Sequence, residues 1–372
     1  MQVLWGLGFG LLGPILPLYL RSLDASPAEI GLVFGVGNLA AALLILPAGA
    51  IADRVGRRPV IVASGLSGLL GALVLLPLTH WEGAFASSIL YWAGTAALPV
   101  MSAHVAAISP RPVLGRAMGA LYGSFFVGFI VGSPFAGAVA AAFGLRSAIA
   151  LGALLFALST TGSLFLSPGK TAPTASGGGR FPRSFWALLA LTPLGAFVAV
   201  LPTPLLPVYV RDVVGSPLEL VGVYVACVSL GSALFSVAAG RLGDRYGAVP
   251  AVMTNAFVLT VGCAIAALLT ANGVVVAIGL VLAGANVASN PVLAALLERI
   301  VPPARAALGY AAFQLVYAAG FGVGGIAAGS LYDADPRLPF LVTVALALPV
   351  AAVVSLVVAH IARAPAGSLH AS

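Results

Sequence analysis

The sequence predicts an all-α membrane protein with twelve transmembrane helices in two pseudo-symmetric six-helix bundles. The first supporting observation is composition: 61% of the 372 residues are hydrophobic and only 7% are charged, whereas soluble domains carry roughly 25% charged residues. The second is a series of apolar runs that reach the length of about 20 residues needed to cross a membrane as a helix. The third is a sequence pattern that occurs twice at a fixed displacement.

Proline, glycine and charge clusters divide the chain into twelve apolar segments. The N-terminal segment lacks the positively charged flank of a signal peptide, so we expect it to remain as the first span. The short connections leave no room for a sizeable soluble domain. The predicted spans begin near residues 1, 27, 58, 83, 112, 146, 185, 217, 249, 273, 304 and 337.

The repeated pattern is L-P-x-Y-x-R-x-x-x-x-S-P-x-E. It begins at Leu16 and again at Leu206, a displacement of 206 − 16 = 190 positions. Each copy predicts the end of one helix, with Tyr19 or Tyr209 at the membrane interface. The Ser-Pro-x-Glu that follows predicts the capped start of the next helix.

A second shared pattern, G-x-x-x-D-R-x-G, begins at Gly49 and at Gly240, a displacement of 240 − 49 = 191 positions. Together the two patterns predict two similar halves of six spans each. The segment between them is rich in Gly, Ser, Thr and Pro, as is typical of a flexible linker. The predicted parts are a bundle at 1–166, a cytoplasmic linker at 167–183, a bundle at 184–363 and a cytoplasmic tail at 364–372.

The basic residues predict the orientation in the membrane. If the N-terminus is cytoplasmic, 13 of the 17 Lys and Arg residues fall on the cytoplasmic side, as the positive-inside rule requires. We therefore expect a multi-pass protein of the cell membrane with both termini in the cytoplasm. Because the arginines are scattered among loops and form no continuous basic face, a nucleic-acid partner is not expected.

The first G-x-x-x-D-R-x-G copy continues as G-x-x-x-D-R-x-G-R-[RK], which resembles the signature of the major facilitator superfamily between spans two and three. The second copy is a weaker echo, in which Ala248 departs from the signature. The matching residues are Gly49, Asp53, Arg54, Gly56, Arg57 and Arg58 in the first copy, and Gly240, Asp244, Arg245 and Gly247 in the second.

The resemblance implies a transporter that works by alternating access, with this signature as its cytoplasmic gate. Asp53 lies at the C-terminal end of its own helix, where the helix dipole disfavours a carboxylate. The resemblance suggests that the start of span eleven, near Arg305, compensates Asp53 when the gate closes. Gly56 suits a tight turn with an unusual backbone dihedral. The alternative is that these charges only fix the topology.

Two further stretches resemble the drug-efflux branch of this family. Span one contains GFGLLGPILPLYL, and span five contains GFIVGSPFAG, beginning at Gly128. The second matches the family's antiporter motif only in part, because Ser133 separates Gly132 from Pro134. Small residues at this spacing also serve general close packing of helices, which is the alternative explanation.

Proton coupling has one candidate residue. Each Asp and Glu falls at a predicted helix end or in a loop, and His104 alone among titratable side chains lies well inside a span. The ordinary pKa of histidine suits proton exchange. A histidine that is hydrogen-bonded for packing is an equally good interpretation.

Uncharged polar side chains inside the cavity-lining spans are the candidate substrate contacts. Polar groups in a membrane interior are costly unless they face the interior of the bundle. A cavity with amides, aromatic rings and no fixed charge favours a neutral or weakly polar solute, or a delocalised cation on aromatic faces. The candidates are Asn38, Ser102, Tyr122, Tyr224, Asn286, Asn290, Gln314 and Tyr317.

These observations predict a secondary active transporter that moves a small amphipathic organic solute, with proton-coupled efflux favoured. The alternatives are an uncoupled facilitator, a metabolite importer, or a non-transporting receptor or scaffold of the same fold. The expected partners are the small-molecule substrate and the lipid bilayer, and we expect a monomer. The sequence has no clustered metal ligands or paired catalytic groups, so we expect no enzyme, cofactor or metal site.

Overall fold

The computed structural model describes residues 1–109, 113–166, 181–302 and 305–363. These residues form α-helices and short 3₁₀ turns, with no strand among them. Within them, 12 helical segments are long and apolar enough to cross a membrane. Each segment begins within about four residues of its predicted start. The predicted all-α membrane fold is therefore confirmed.

The first seven helices make up the predicted first six spans. Span four consists of two of these helices, joined by a 3₁₀ turn at Gly94–Ala97. The helices are α1 (Gln2–Arg21), α2 (Pro27–Val55), α3 (Arg57–Leu75), α4 (Ala84–Ala93), α5 (Leu98–Ile108), α6 (Leu114–Phe143) and α7 (Leu145–Ser163).

The later helices repeat this order. Span ten is also divided, by a 3₁₀ turn at Gly284–Val287, which lies 284 − 94 = 190 positions after the first turn. The helices are α8 (Arg183–Val200), α9 (Leu206–Asp212), α10 (Leu218–Tyr246), α11 (Ala248–Leu268), α12 (Gly273–Ala283), α13 (Asn290–Ile300), α14 (Ala306–Ala334) and α15 (Leu338–Arg363).

The chain forms two compact units. The first unit contains Met1–Thr174 and Pro204–Ala226, and the second contains Ala175–Thr203 and Cys227–Ser372. The helix α9 and the first turns of α10 thus belong to the first unit. Most of the predicted linker (167–180) and the predicted tail (364–372) lie outside the described residues. The predicted division into halves at the linker stays a prediction.

The break between α8 and α9 follows from proline content. The counterpart helix α1 is continuous although it contains Pro14 and Pro17. At the 190-residue displacement, Pro204 corresponds to Pro14, and Pro202 stands where α1 has Leu12. The second half therefore has one more proline in this stretch. Each proline removes a backbone donor and clashes with the preceding turn, so the chain between the two helices forms turns.

The capped start of α2 is confirmed. The Glu29 amide donates to Ser26 Oγ at 3.3 Å, and the Ser26 amide donates to Glu29 Oε2 at 2.7 Å. Pro27 occupies the first turn, where its missing N–H costs nothing. In the second copy, the Ser216 hydroxyl donates to Tyr224 Oη at 3.0 Å.

Glycine contacts show that the two halves share one packing register. In the first unit, a Cβ added at Gly132 on α6 would lie 2.7 Å from the carbonyl oxygen of Leu7 on α1. In the second unit, a Cβ added at Gly324 on α14 would lie 2.8 Å from the carbonyl oxygen of Phe197 on α8. Phe197 follows Leu7 by 190 positions, and Gly324 follows Gly132 by 192. Both helix pairs therefore approach at backbone distance, as small residues permit.

The two tyrosines of the repeat are buried inside the first unit, and their position at the membrane interface stays a prediction. Tyr19 is buried, and its hydroxyl donates to the carbonyl oxygen of Leu75 at 2.8 Å, at the C-terminal end of α3. Tyr209 is also buried. Because the last carbonyls of a helix lack intrahelical donors, Tyr19 satisfies one of them inside the protein.

Candidate gate and substrate site

The signature arginines hold together three helices of the first unit. Arg57 Nη1 donates to the carbonyl oxygen of Ala103 on α5 at 3.0 Å, and Arg58 donates to the carbonyl oxygen of Leu164 after α7. Leu164 is the C-terminal cap of its helix, where a cation is favourable. These two arginines therefore join the start of α3 to its neighbours.

The turn glycines of the two signature copies have the same conformation. Gly56 and Gly247 both have φ = 92°, in the region that glycine alone occupies without strain. After Gly247 the sequence has Ala248 and Val249 where the first copy has Arg57 and Arg58. The second copy thus keeps the turn and lacks the arginines that connect helices.

The signature carboxylates Asp53 and Asp244 are exposed in the last turns of α2 and α10. In the second copy, the Arg245 guanidinium lies 5.1 Å from the centre of the Tyr246 ring. A Cβ added at Gly49 or Gly240 meets no described atom within 4 Å. These two signature glycines therefore have free space beside them.

The partial antiporter motif on α6 lies in a crowded part of the first unit. A Cβ added at Gly137 would lie 2.8 Å from the carbonyl oxygen of Glu219 on α10, and one at Gly222 would clash with the carbonyl oxygen of Ser133. By contrast, a Cβ added at Gly119 or Gly123 meets no described atom within 4 Å. One half of α6 thus packs at backbone distance and the other half does not.

The second unit contains a partly open cavity of about 90 Å³. Its wall comes from α8, α11, α13, α14, α15 and the 3₁₀ turn before α13. Apolar side chains make up most of the described wall, and none of the wall residues is charged. The polar wall residues are Thr192, Asn255, Asn286, Ser289, Asn290 and Tyr317.

Three predicted substrate residues meet in this cavity: Asn286, Asn290 and Tyr317. The side chains of Asn290 and Tyr317 lie on the wall close enough to interact with each other. Asn286 Nδ2 donates to the carbonyl oxygen of Ala199 at 3.1 Å, and the Ser232 hydroxyl approaches Asn286 Oδ1 at 3.4 Å. Asn286 therefore also ties the 3₁₀ turn to α8 and α10.

Sequence reasoning missed Asn255 and Ser289. Asn255 Nδ2 donates to Ser289 Oγ at 3.3 Å, so the two form a polar pair on the cavity wall. Asn255 was not among the predicted residues because it lies in span nine, and candidates were taken only from spans that were expected to line the cavity. Its position in the middle of an apolar run was the available signal, since such side chains turn toward the protein interior.

The remaining predicted substrate residues lie elsewhere. In the first unit, the hydroxyls of Ser102 and Tyr122 lie 2.8 Å apart. Asn38 is buried and donates to the carbonyl oxygen of Phe34 at 2.9 Å within its own helix. Tyr224 accepts from Ser216, and Gln314 on α14 is exposed.

His104, the predicted coupling residue, is only 2% exposed in the first unit. Among the described residues, neither ring nitrogen has a hydrogen-bond partner. The charge of Arg57 acts on the ring. A buried imidazole without partners is unusual, because buried polar groups are normally hydrogen-bonded.

In the first unit, the position that corresponds to the cavity of the second unit is filled with aromatic rings. The Trp5 ring centre lies 4.6 Å from that of Phe156, and the Phe9 centre lies 4.4 Å from that of Tyr91. The remaining space, lined by Trp5, Ser64, Thr160 and others, is about 20 Å³, which is enough for about one water molecule.

Comparison with known proteins now identifies the fold. The Major Facilitator Superfamily matches the chain over residues 1–221 and 185–370. The chain belongs to this family. The two matches together include both signature copies, the α6 motif and the cavity of the second unit. The predicted family and its multi-pass membrane fold are confirmed.

Several relatives carry the name of a multidrug efflux pump or of a multidrug resistance protein. The chain is 26% identical over 261 residues to the "Multi-drug resistance efflux pump PmrA homolog" of Lactococcus lactis, covering 65% of this chain and 64% of the relative. It is 28% identical over 264 residues to "Multidrug resistance protein MdtG" of Enterobacter lignolyticus, covering 66% of this chain and 63% of the relative. The chain thus spans just under two thirds of the length of these relatives.

Solved structures agree on the fold. The nucleoside transporter NupG superposes with a TM-score of 0.75 at 15% identity, covering 98% of both chains. A bacterial homolog of the human lysosomal transporter Spinster, in an inward-facing conformation, gives a TM-score of 0.75 at 16% identity, covering 97% of this chain and 95% of that one. At these identities the likeness concerns the fold alone.

Proposed function

We propose that the chain is a secondary active transporter that moves a small amphipathic organic solute by alternating access, as proton-coupled efflux. The observation that carries the proposal is the cavity of the second unit, where amide, hydroxyl and phenol groups lie among apolar side chains without a charged one on the described wall. Such a lining suits neutral or weakly polar ligands. The names of the multidrug efflux relatives support the direction.

Two further roles complete this proposal. The signature residues around Asp53 form the cytoplasmic gate, and His104 exchanges the coupling proton. The burial of His104 beside Arg57 supports its choice, because a titratable group inside a span has a functional role by default. Ser102 and Tyr122 supply solute contacts from the first unit.

The membrane arrangement is part of the same proposal: a monomer in the cell membrane with both termini in the cytoplasm. The distribution of basic residues supports it. A cysteine at Ser176, in the linker outside the described residues, should resist an impermeant thiol reagent added to intact cells. Efficient labelling from outside would reverse the proposed topology.

The decisive experiment is transport by purified protein in liposomes. A panel of neutral, anionic and cationic organic solutes is tested with and without an imposed pH gradient. We expect accumulation of neutral amphipathic solutes that depends on the gradient. Flux that ignores the gradient would indicate a facilitator, and the absence of flux for the whole panel would reject transport.

A further inference from the structure

Two polar pairs on the wall of the second-unit cavity have hydrogen-bonding capacity to spare. Asn255 is only 4% exposed, and its bond to Ser289 at 3.3 Å is its one hydrogen bond among the described residues. A carboxamide offers two donors and an acceptor oxygen with two lone pairs. Asn290 and Tyr317, which interact with each other on the wall of the same cavity, form the second pair.

The other polar wall groups are already used by the protein itself. Asn286 connects the carbonyl oxygen of Ala199 with the Ser232 hydroxyl. The Thr192 hydroxyl donates to the carbonyl oxygen of Leu188 at 2.8 Å within α8. Free donors and acceptors are therefore concentrated at Asn255, Ser289, Asn290 and Tyr317.

The size and remaining walls of the cavity restrict what can bind there. A volume of about 90 Å³ is several times the roughly 10–15 Å³ that one water molecule needs on this measure, so there is room for a small planar group. Leu188, Leu259, Val350 and Ala351 supply apolar walls. An ionised group would be uncompensated there, because no charged residue lines the described wall and burial of an unpaired charge is costly.

The cavity exists because two side chains are smaller in the second half of the repeat than at the matching positions of the first half. At the 190-residue displacement, Gly195 and Ala199 stand where the first unit has Trp5 and Phe9. Both small residues line the cavity. A Cβ added at Gly195 meets no described atom within 4 Å. Asn255 follows Ser64 by 191 positions. The second half therefore has a longer amide side chain at the position where the first half has a hydroxyl.

We propose that this cavity binds a neutral, planar group with adjacent hydrogen-bond donor and acceptor, such as a carboxamide or lactam, and that this group anchors the transported solute. The amide of Asn255 and the Asn290–Tyr317 pair supply the complementary donors and acceptors. The apolar walls hold the flat faces of the group. This proposal rests on the proposed transport function.

Equilibrium binding to the purified full-length protein in liposomes tests the chemistry. The probes are benzamide, acetophenone, which lacks the donor, and benzoate, which is charged. We expect benzamide to bind at least about tenfold more tightly than either of the others, because an unmatched buried polar group costs roughly that much affinity. Equal affinity for benzamide and acetophenone would overturn the proposal.

Three variants locate the site. Asn255→Val should weaken benzamide binding about tenfold by removing the amide. Gly195→Trp should abolish it by restoring the ring of the first unit, and it leaves each polar wall residue in place. Ser64→Ala, the matched position in the first unit, should leave binding unchanged. Size-exclusion profiles establish that each variant is folded.

The outcomes separate this proposal from the transport function. If Gly195→Trp is folded and binds benzamide as the wild type does, the assigned site is wrong. If solutes are transported while benzamide does not bind, the cavity holds water only and transport stands. If benzamide binds as expected and no solute of the panel is transported, the site stands and the transport function fails.

Discussion

The two units fill the same internal position in opposite ways. In the first unit, the rings of Trp5 and Phe9 pack against aromatic neighbours and leave about 20 Å³. In the second unit, Gly195 and Ala199 leave a cavity of about 90 Å³ with amides on its wall. The backbone contacts of the two helix pairs nevertheless keep the same register, as Gly132 and Gly324 show.

This difference shows how a duplicated fold can acquire two roles. Gly132 and Gly324 set the distance between helices at matching positions of the two halves, because a side chain there would separate the backbones. The ring positions set only how the space between helices is filled. The two halves can therefore differ in how this space is filled while these helix pairs keep their spacing.

The largest expected effect is on the free energy of unfolding, and it comes from removing the Trp5 ring of the first unit. Trp5→Ala should lower the free energy of unfolding by about 3–5 kcal/mol, since it removes a packed ring and leaves a cavity. Denaturant unfolding in detergent, followed by circular dichroism, measures it. Trp186→Ala is the control, because this exposed ring should cost less than about 0.5 kcal/mol. Equal losses for the two variants would mean that the ring cluster is not a packing core.

The shared glycine register predicts matched losses in the two halves. Gly132→Leu and Gly324→Leu should each destabilise the protein by about 1–3 kcal/mol or more, because the side chain meets backbone of the facing helix. Gly123→Leu, on the open half of α6, should be tolerated. Thermal unfolding monitored by size exclusion compares the three. If Gly324→Leu alone were tolerated, the register would not be common to both units.

The titratable group is present in one half only, since the counterpart of His104 at 192 positions later is Leu296. His104→Gln should remove the accumulation driven by a pH gradient, which is worth about tenfold per pH unit for one proton. Downhill flux should remain. His360→Gln, at an exposed histidine, is the control. Unchanged uphill transport in the His104 variant would remove this residue from the coupling mechanism.

The smallest effect is expected at the gate. Asp53→Asn should favour the inward-open state several-fold, because a helix-end charge contributes about 0.3–2 kcal/mol. Asp244→Asn should do less, since its copy lacks the arginines that follow Gly56. Spin-label distances between the cytoplasmic ends of spans two and eleven report the populations. Identical distributions in wild type and Asp53→Asn would leave the carboxylate with a topological role only.

Local chemistry was enough to predict most of the fold. Span starts, the Ser26 cap and the turn at Gly56 depend on residues within a few positions of each other, so the sequence displays them directly. The burial of Tyr19 could not be foreseen in the same way. It depends on a carbonyl of Leu75, which is 56 positions away.

The candidate site was only partly predictable for a related reason. Asn286, Asn290 and Tyr317 were recognisable as polar groups in apolar spans. The cavity itself depends on what is missing at Gly195 and Ala199, and an absent side chain is visible only when the first half is laid over the second. The position of Asn255 in an apolar run signals that its side chain faces the protein interior, and the overlay adds that it lies beside this cavity.

The membership of residues 204–226 in the first unit also concerns biosynthesis. A ribosome makes the chain from the N-terminus, so α1 to α7 are complete well before α9 and the start of α10 emerge. Until then, the backbone surface around Ser133 and Gly137 that later receives Gly222 and Glu219 has no partner from this segment. Finishing the first unit therefore requires that α8 has already been inserted into the membrane.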